Sequence, residues 1–554
     1  MAANISLDTI SLQLYHFLCQ HIVGTEETVR AKRLISMICD TLNSDTKCHI
    51  TSGSVGEGLE LEGSDIDIMH VWRMFIVHKD TDNIYFDSQK NPFVMEMNDT
   101  KPSFDWQEIP FVMEMNDTKP GFTLLRSPYL SDQVDVIVQR DNSWYLSSEL
   151  FKLFFLKISH GLSLRITTIH GPCLSDKNGA IDIATCLHSP HWIQSAENWI
   201  HRGHTSWHIS ELKSNIIDHG VLFVPIGSKG SVNEALEWRI SFSVAEKLLI
   251  YSFCHTQLLC YALMKILLKD VINSDINCKN LLCSYFIKTI IFWVSEETPV
   301  TDWKPKNLIQ CFMRCFRRLL YCVEYSICPH YFIPIINLFE NKIEGQPREL
   351  LLGHLNTLFS FGWRCVFFSE HFHNFTIHSN ELPGTSEIKH TQFELILTSF
   401  VLNCPIVKPG KSSLRKCIRM SRIKKSSVIK LTCLRFMSVI CSSIQQSIVT
   451  SFEINKKMYS QRRIQLAYLL QNIHHDAVSG WLMLAAFFYK TNQYRDVLYI
   501  LSYAMRKCTP EKVYFQKRLS QLQLNTTKFT TLQRLGIVHV SKLLQNWKSL
   551  PDQP

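Results

Sequence analysis

The segment IDIMHVWRMFIV, residues 66–77, alternates polar and apolar side chains at its start, the period of a half-buried strand. Successive strand side chains point to opposite faces, so Asp65 and Asp67 face one way while Ile66 and Ile68 face a core. Two more segments read as strands, VDVIVQ (134–139) and AIDIATCL (180–187), each carrying one acid, Asp135 or Asp182, among aliphatic neighbours. Ahead of them, residues 12–22 and 27–42 have the 3.6-residue apolar period of amphipathic helices, with Arg30, Lys32 and Arg33 expected on the polar side. A mixed pattern runs to about residue 230, and from Trp238 to about Phe368 the pattern is almost wholly helical. The fold class expected is therefore α+β: a mixed sheet with helices, a helical lobe and a helical C-terminal region.

The expected division is a core over 1–235, a helical lobe over 236–373, a linker with a basic segment over 374–450, and a helical region over 451–554. Within the last, residues 479–505 place Trp481, Leu482, Ala485, Tyr489, Tyr494 and Leu498 at spacings that fit either one tetratricopeptide unit or an ordinary helical hairpin. A single such unit cannot bury its face alone and needs neighbouring helices or a protein partner. PFVMEMNDTKP occurs at 92–102 and again at 110–120, a tandem duplication that reads either as an inserted loop or as an error in the gene model.

The net charge of +9 is unevenly placed, because residues 395–452 hold ten Lys and Arg and no acid. Subtracting those ten leaves about −1 for the rest, so composition alone does not make the core a nucleic-acid binder. Residues 408–435 are expected to be a solvated linker adding salt-sensitive affinity for nucleic acid or anionic membrane. The longest apolar stretch, 244–269, is interrupted by Glu246, Lys247, His255 and Lys265 and reads as a buried helix pair; no transmembrane segment is expected. The 19 cysteines lie scattered in apolar segments behind an N-terminus without a secretory pattern, which implies reduced thiols and a cytoplasmic setting.

Residues 48–63, CHITSGSVGEGLELEG, read as a short strand, a small-residue turn and a short helical segment. Such a turn aims backbone N–H groups and the Ser54 hydroxyl at a polyphosphate. Gly53-Ser54 alone is a weak signal, since Gly227-Ser228 repeats the dipeptide. The carboxylates of Asp65 and Asp67 distinguish the first copy, for two acids on one strand face can share a Mg2+ or Mn2+ ion that also holds substrate phosphates. That combination points to nucleotidyl transfer, which calls for a third acid; residue pattern leaves Asp135 and Asp182 tied.

Four blocks in order, GAIDIATCLHSPHWI (179–193), LEWRISFSVAEKLL (236–249), LLCSYFIKTIIFWVSEE (281–297) and Trp303 through NLIQCF to PHYFIPIINLF (329–339), resemble the Mab-twenty-one-like nucleotidyltransferases. Within that family they are most similar to the cyclic GMP-AMP synthase-like receptors. The resemblance implies that Asp182 completes the catalytic, metal-binding set with Asp65 and Asp67. It implies nucleotide contacts by Gly53 and Ser54, by Arg239, Ser241, Ser243 and Glu246, by Lys265, and by Tyr285 stacking on a base with Ser284 and Lys288 beside the phosphates. It also implies ATP and GTP as substrates, a cyclic dinucleotide product, a double-stranded RNA or DNA activator and innate immune sensing. A scaffold without catalysis and an enzyme extending RNA ends are the competing readings. The zinc thumb of the family's DNA sensors has no counterpart: the interval offers Cys254, His255, Cys260 and Cys278, and no structural zinc is expected from them.

Overall fold

The computed structural model describes residues 6–80 (without 45, 46 and 62), 109–202 (without 116, 129–134 and 162–165), 207, 210–377, 410–447 (without 424 and 425), 456–473 and 479–507. The chain divides into two compact units, Met1–Ile396 and Leu397–Pro554. Helix and strand are both abundant in the first and the second is helical among its described residues, so the α+β class holds.

The first unit opens with α1 (Leu7–Phe17) and α2 (Glu26–Asn43), capped by Ser6 and Thr25, whose side chains accept from Thr9 N and Thr28 N. Strand β1 (Lys47–Ser52) leads into the single turn α3 (Gly53–Gly56) and the long strand β2 (Ile66–His78). The sheet continues through β3 (Ile109–Glu114), β4 (Phe122–Ser127), β5 (Ile137–Arg140) and β6 (Ser143–Leu146). After α4 (Ser148–Gly161) come β7 (Ile166–His170), β8 (Cys173–Asp176) and β9 (Ile181–Ser189), then α5 (Glu197–His201) and α6 (Ser210–His219), and last β10 (Val221–Val224) and β11 (Trp238–Ser241). The strand order is β1-β2-β3-β4-β11-β10-β9-β8-β7, and β2 also pairs β9 in parallel, so the path returns on itself.

A register irregularity between Val71 and Ile76 lets β2 serve two cores. Before it, Met69 and Val71 pack with Ala184, Cys186, Leu222 and Val224 in a small apolar cluster. Beyond it, Phe75 and Val77 turn into the main core, which runs through the sheet and the helices that follow. Asp67 and Asp182 sit one strand step before Met69 and Ala184, hence on the face of the smaller cluster.

The helical lobe comprises α7 (Ser243–Tyr251), α8 (His255–Ile266) with a π-turn to Ile272, α9 (Ser284–Glu297), α10 (Leu308–Glu324) and α11 (Gly345–Ser360). Helix α8 is buried nearly all round, as the apolar run Leu258–Met264 at its centre requires. No described helix is long and apolar enough to cross a membrane.

The second unit contains α12 (Lys411–Ile423), α13 (Ser427–Ser447), α14 (Lys456–Asn472), α15 (Ser479–Lys490) and α16 (Tyr494–Lys507). The basic segment expected to be a linker is thus largely helical. Its apolar positions recur at helical spacing, with Leu414, Cys417, Cys433, Phe436 and Ile440 all buried. Residues 378–409, most of the expected polar linker, lie outside the described residues. The 479–505 hairpin forms, but it packs through Leu484, Ala485, Val497 and Ile500 against Leu469 of α14, while Tyr489, Tyr494 and Leu498 are exposed.

Three other expectations change. The second copy of the duplication begins in β3, a buried strand of the main sheet; the first copy lies outside the described residues. Asp135 stands in an exposed turn ahead of β5 and not in a strand. Arg33 is buried: its guanidinium donates to the carbonyls of Glu57 (2.8 Å), Ile250 (3.2 Å) and Tyr251 (3.4 Å) and lies over the Tyr251 ring. Arg30 and Lys32 pair with Glu26 and Glu60.

Candidate active site

Parallel pairing of β2 with β9 sets Asp67 directly opposite Asp182. Asp65, just ahead of β2, joins them, and carboxylate oxygens of all three lie within 4.8 Å of one another. Asp135 is not in this cluster. Burial first, then the neighbouring Asp65 and Asp182 charges, push the Asp67 carboxyl up to about 6. Three acids so crowded repel one another unless a cation intervenes, and an all-oxygen set suits Mg2+ or Mn2+. The Ser175 hydroxyl on β8 donates to Asp182 Oδ1 at 2.5 Å and fixes the third acid's orientation.

Antiparallel pairing of β1 with β2 brings Ser52 opposite Asp67, so the Gly53–Gly56 turn starts beside the acids. Gly53 has φ +61°, and a Cβ there would collide with the Asp67 carboxylate; one on Gly56 would collide with the Thr51 carbonyl. The Lys265 ammonium, on α8, donates to the Ser54 hydroxyl. Burial lowers its pKa, with the Lys288 charge acting in the same direction.

A cleft of about 420 Å³ opens beside these groups, lined by Gly53, Ser54, Asp65, Asp67, Lys265 and Tyr285 among others, with Ser284 and Lys288. Lys288 is buried between Glu57 (2.7 Å) and Glu246 (3.2 Å), so its ammonium serves two carboxylates of the lobe and the turn. Tyr285 presents its ring to the cleft, and its hydroxyl meets His330 Nε2 at 2.9 Å. His330 Nδ1 accepts from the Phe332 and Ile333 N–H groups, which places the ring proton on Nε2, donating to Tyr285. Burial, aided by the Arg239 charge, lowers the imidazole to about 4 and keeps it neutral.

Arg239, Ser241, Ser243 and Glu246 lie outside the cleft lining. Arg239 is exposed on β11, and the Ser241 hydroxyl accepts from Ser243 N at 3.4 Å. Glu57, Lys269, Asp270 and His371 line the cleft without having been singled out in the sequence. Only Glu57 carried a signal, standing three residues after Ser54 on the same turn. Of Cys254, His255, Cys260 and Cys278, from which no structural zinc is expected, His255 Nε2 lies 3.4 Å from Cys19 Sγ and 3.1 Å from the Gly24 carbonyl, while Cys254 and Cys260 donate to the carbonyls of Trp303 and Leu308.

The chain is similar to known proteins over part of its length. Residues 257–353, from α8 into α11, match the Mab-21 protein HhH/H2TH-like domain. The chain is 29% identical to mouse cyclic GMP-AMP synthase over 162 residues, 26% of this chain and 31% of that protein. It is 30% identical to the pig cyclic GMP-AMP synthase over 165 residues, 27% and 33% of the two chains. Against the Drosophila melanogaster "Protein mab-21-like" it is 24% identical over 160 residues, 27% and 42% of the two chains. The chain thus spans about a third of the length of the first two relatives. With the triad of acids, the Gly53-Ser54 turn and the matched helical domain in one unit, the chain is similar to the Mab-21 nucleotidyltransferases and to cyclic GMP-AMP synthase.

Proposed function

We propose that this protein is a metal-dependent nucleotidyltransferase that joins ATP and GTP into a cyclic dinucleotide of the cyclic GMP-AMP type, acting as an innate immune sensor switched on by double-stranded nucleic acid. The observation carrying this reading is the register of Asp67 against Asp182, which gathers three carboxylates beside the Gly53–Gly56 turn.

Asp65, Asp67 and Asp182 would hold Mg2+ or Mn2+, and the burial and then the crowding that raise the Asp67 carboxyl support that fit. When bound, such ions lower the pKa of an attacking ribose hydroxyl and neutralise the departing pyrophosphate. The Gly53–Gly56 turn offers the triphosphate its backbone N–H groups and the Ser54 hydroxyl, with Lys265 as a point charge beside it. The Tyr285 ring, its hydroxyl held by His330, is a stacking surface for a base. Arg239, Ser241 and Ser243 are assigned to the acceptor nucleotide. Lys288 and Glu246 act here by joining lobe to turn, which fixes where Tyr285 and Ser284 stand relative to Ser54.

For the activator, α12 presents Arg415, Arg419 and Arg422 at i, i+4 and i+7, all exposed on one face. Such a stripe suits a phosphate backbone. The deciding experiment incubates the full chain with the four NTPs, Mn2+ or Mg2+ and a panel of RNA and DNA duplexes, and identifies products by mass. A cyclic dinucleotide dependent on Asp182 is expected. A ladder of extended RNA, or nucleotide binding without any product, would replace this reading with an RNA-end enzyme or a scaffold.

A further inference from the structure

The turn after α8 carries a second group of ligating side chains that nucleotidyl transfer does not use. Asp275, Cys278 and His354 of α11 offer a carboxylate oxygen, a thiol sulfur and an imidazole nitrogen, all within 4.8 Å of one another. We infer that these three residues bind one zinc-class divalent ion, staple-like, between the α8–α9 connection and α11.

The geometry favours an ion over a simple pair. His354 Nδ1 lies 3.5 Å from Asp275 Oδ2, longer than the roughly 2.7–3.2 Å of a hydrogen bond. Metal bonds of about 2.0–2.3 Å arranged tetrahedrally put neighbouring ligand atoms roughly 3.3–3.8 Å apart, which this separation matches. The other Asp275 oxygen, Oδ1, accepts from Asn277 N–H at 2.8 Å and so aims Oδ2 at His354. Backbone N–H groups of Cys278 and Lys279 both donate to the Asp275 carbonyl, folding Asp275-x-x-Cys278 into a closed turn that delivers two ligands from one loop. His354, from a separate helix, supplies the third ligand, and three protein ligands leave the fourth tetrahedral position open.

The donors suit the ion in charge as well as in place. Carboxylate and thiolate together balance a dication, and the imidazole binds neutral. Sulfur and nitrogen donors select zinc over the Mg2+ or Mn2+ favoured by the three active-site acids. Cys278 is buried, its sulfur otherwise at the long distance of 4.0 Å from the Leu350 carbonyl. His354 Nε2 is buried with no hydrogen-bond partner, and Nδ1 is the ring nitrogen that faces Asp275. Asp275 and His354 keep partial exposure, 32% and 24%, which leaves an entry path and room for a water as fourth ligand.

The test uses the full chain carrying Asp182→Asn, so that the active-site acids contribute little, stripped with chelator and titrated with Co2+ and then Zn2+. A near-ultraviolet thiolate-to-cobalt absorption band saturating at one equivalent, displaced by Zn2+ and lost in Cys278→Ser, is expected. Circular dichroism checks that the variant folds. Should Cys278→Ser not fold, His354→Asn decides the matter: Zn2+ should raise the melting temperature of the parent and leave His354→Asn unmoved. No cobalt–thiolate band, a band that survives Cys278→Ser, or equal zinc stabilisation of parent and His354→Asn would overturn the site. None of these readouts depends on nucleotidyl transfer.

Discussion

The Asp67 carboxylate fills the space that a side chain on residue 53 would need, so Asp67 in its observed position requires glycine at residue 53. A left-handed backbone at φ +61° adds a cost of about 1–2 kcal/mol for any other residue. Gly53→Ala is therefore expected to move Asp67 out of the cluster while the fold persists, cutting turnover by about 100-fold or more. Parallel loss of Mn2+-induced thermal stabilisation identifies the cause. Wild-type turnover in a verified Gly53→Ala protein would show that Asp67 does not need its observed position.

Asp182 and Asp135 should behave oppositely. Asp182→Asn keeps shape and still accepts from Ser175, yet removes a charge from the cluster; product formation should fall by roughly 100- to 1000-fold or more. Asp135→Asn, in an exposed turn, should be silent in both activity and stability. Mass analysis of products from both variants, with nucleotide binding measured separately, makes the comparison. An inactive Asp135→Asn beside an active Asp182→Asn would move the active centre elsewhere.

The raised Asp67 carboxyl makes metal binding and pH interdependent. Its pKa in the folded protein, about 6, exceeds the ordinary 3.8, so the metal-free fold binds this proton more tightly than the unfolded chain does. The contribution of this group to stability is then greatest below pH 3.8 and declines as pH rises through about 6. A divalent cation relieves that loss, so Mn2+ should raise the melting temperature more at about pH 7.5 than at about pH 5. Scanning calorimetry with and without Mn2+ measures it, and equal stabilisation at both values would exclude the linkage.

Arg33 serves the fold. Three backbone carbonyls, two of them at the C-terminal end of α7, satisfy its guanidinium and tie α2 to the turn after Ser54. Arg33→Ala should destabilise by roughly 2–4 kcal/mol, against under about 0.5 kcal/mol for the exposed Arg30→Ala. Urea midpoints of the two variants test this; similar midpoints would mean that the carbonyl contacts contribute nothing net.

The basic stripe of α12 should bind nucleic acid. Replacing Arg415, Arg419 and Arg422 with Glu is expected to weaken duplex affinity and lower the salt slope by about 0.9 for each phosphate contact removed. Saturated turnover should stay unchanged. Duplex binding with an unaltered salt slope would assign that stripe to solvent.

Much of the site was legible in residue order because strand alternation and turn chemistry are local. Asp65 and Asp67 one strand step apart, and the Gly53-Ser54 turn before them, follow from backbone geometry alone, and so do the helices of the lobe. The third acid was not local. Asp135 and Asp182 share one pattern, and only the pairing of β2 with β9, strands more than a hundred residues apart, sets Asp182 opposite Asp67. Burial likewise separated Arg33 from Arg30 and Lys32, because helical period gives the side of a helix and not what packs there. The basic segment shows the same limit: its charges suggested a solvated linker, while its apolar positions at helical spacing form two helices with a buried face. Lys288, expected beside the phosphates, lines the cleft and pairs there with Glu57 and Glu246, partners that sequence distance does not show. The chain alone determined which chemical groups are available; tertiary packing decided which of them meet, because desolvation and pairing depend on neighbours that sequence distance does not record.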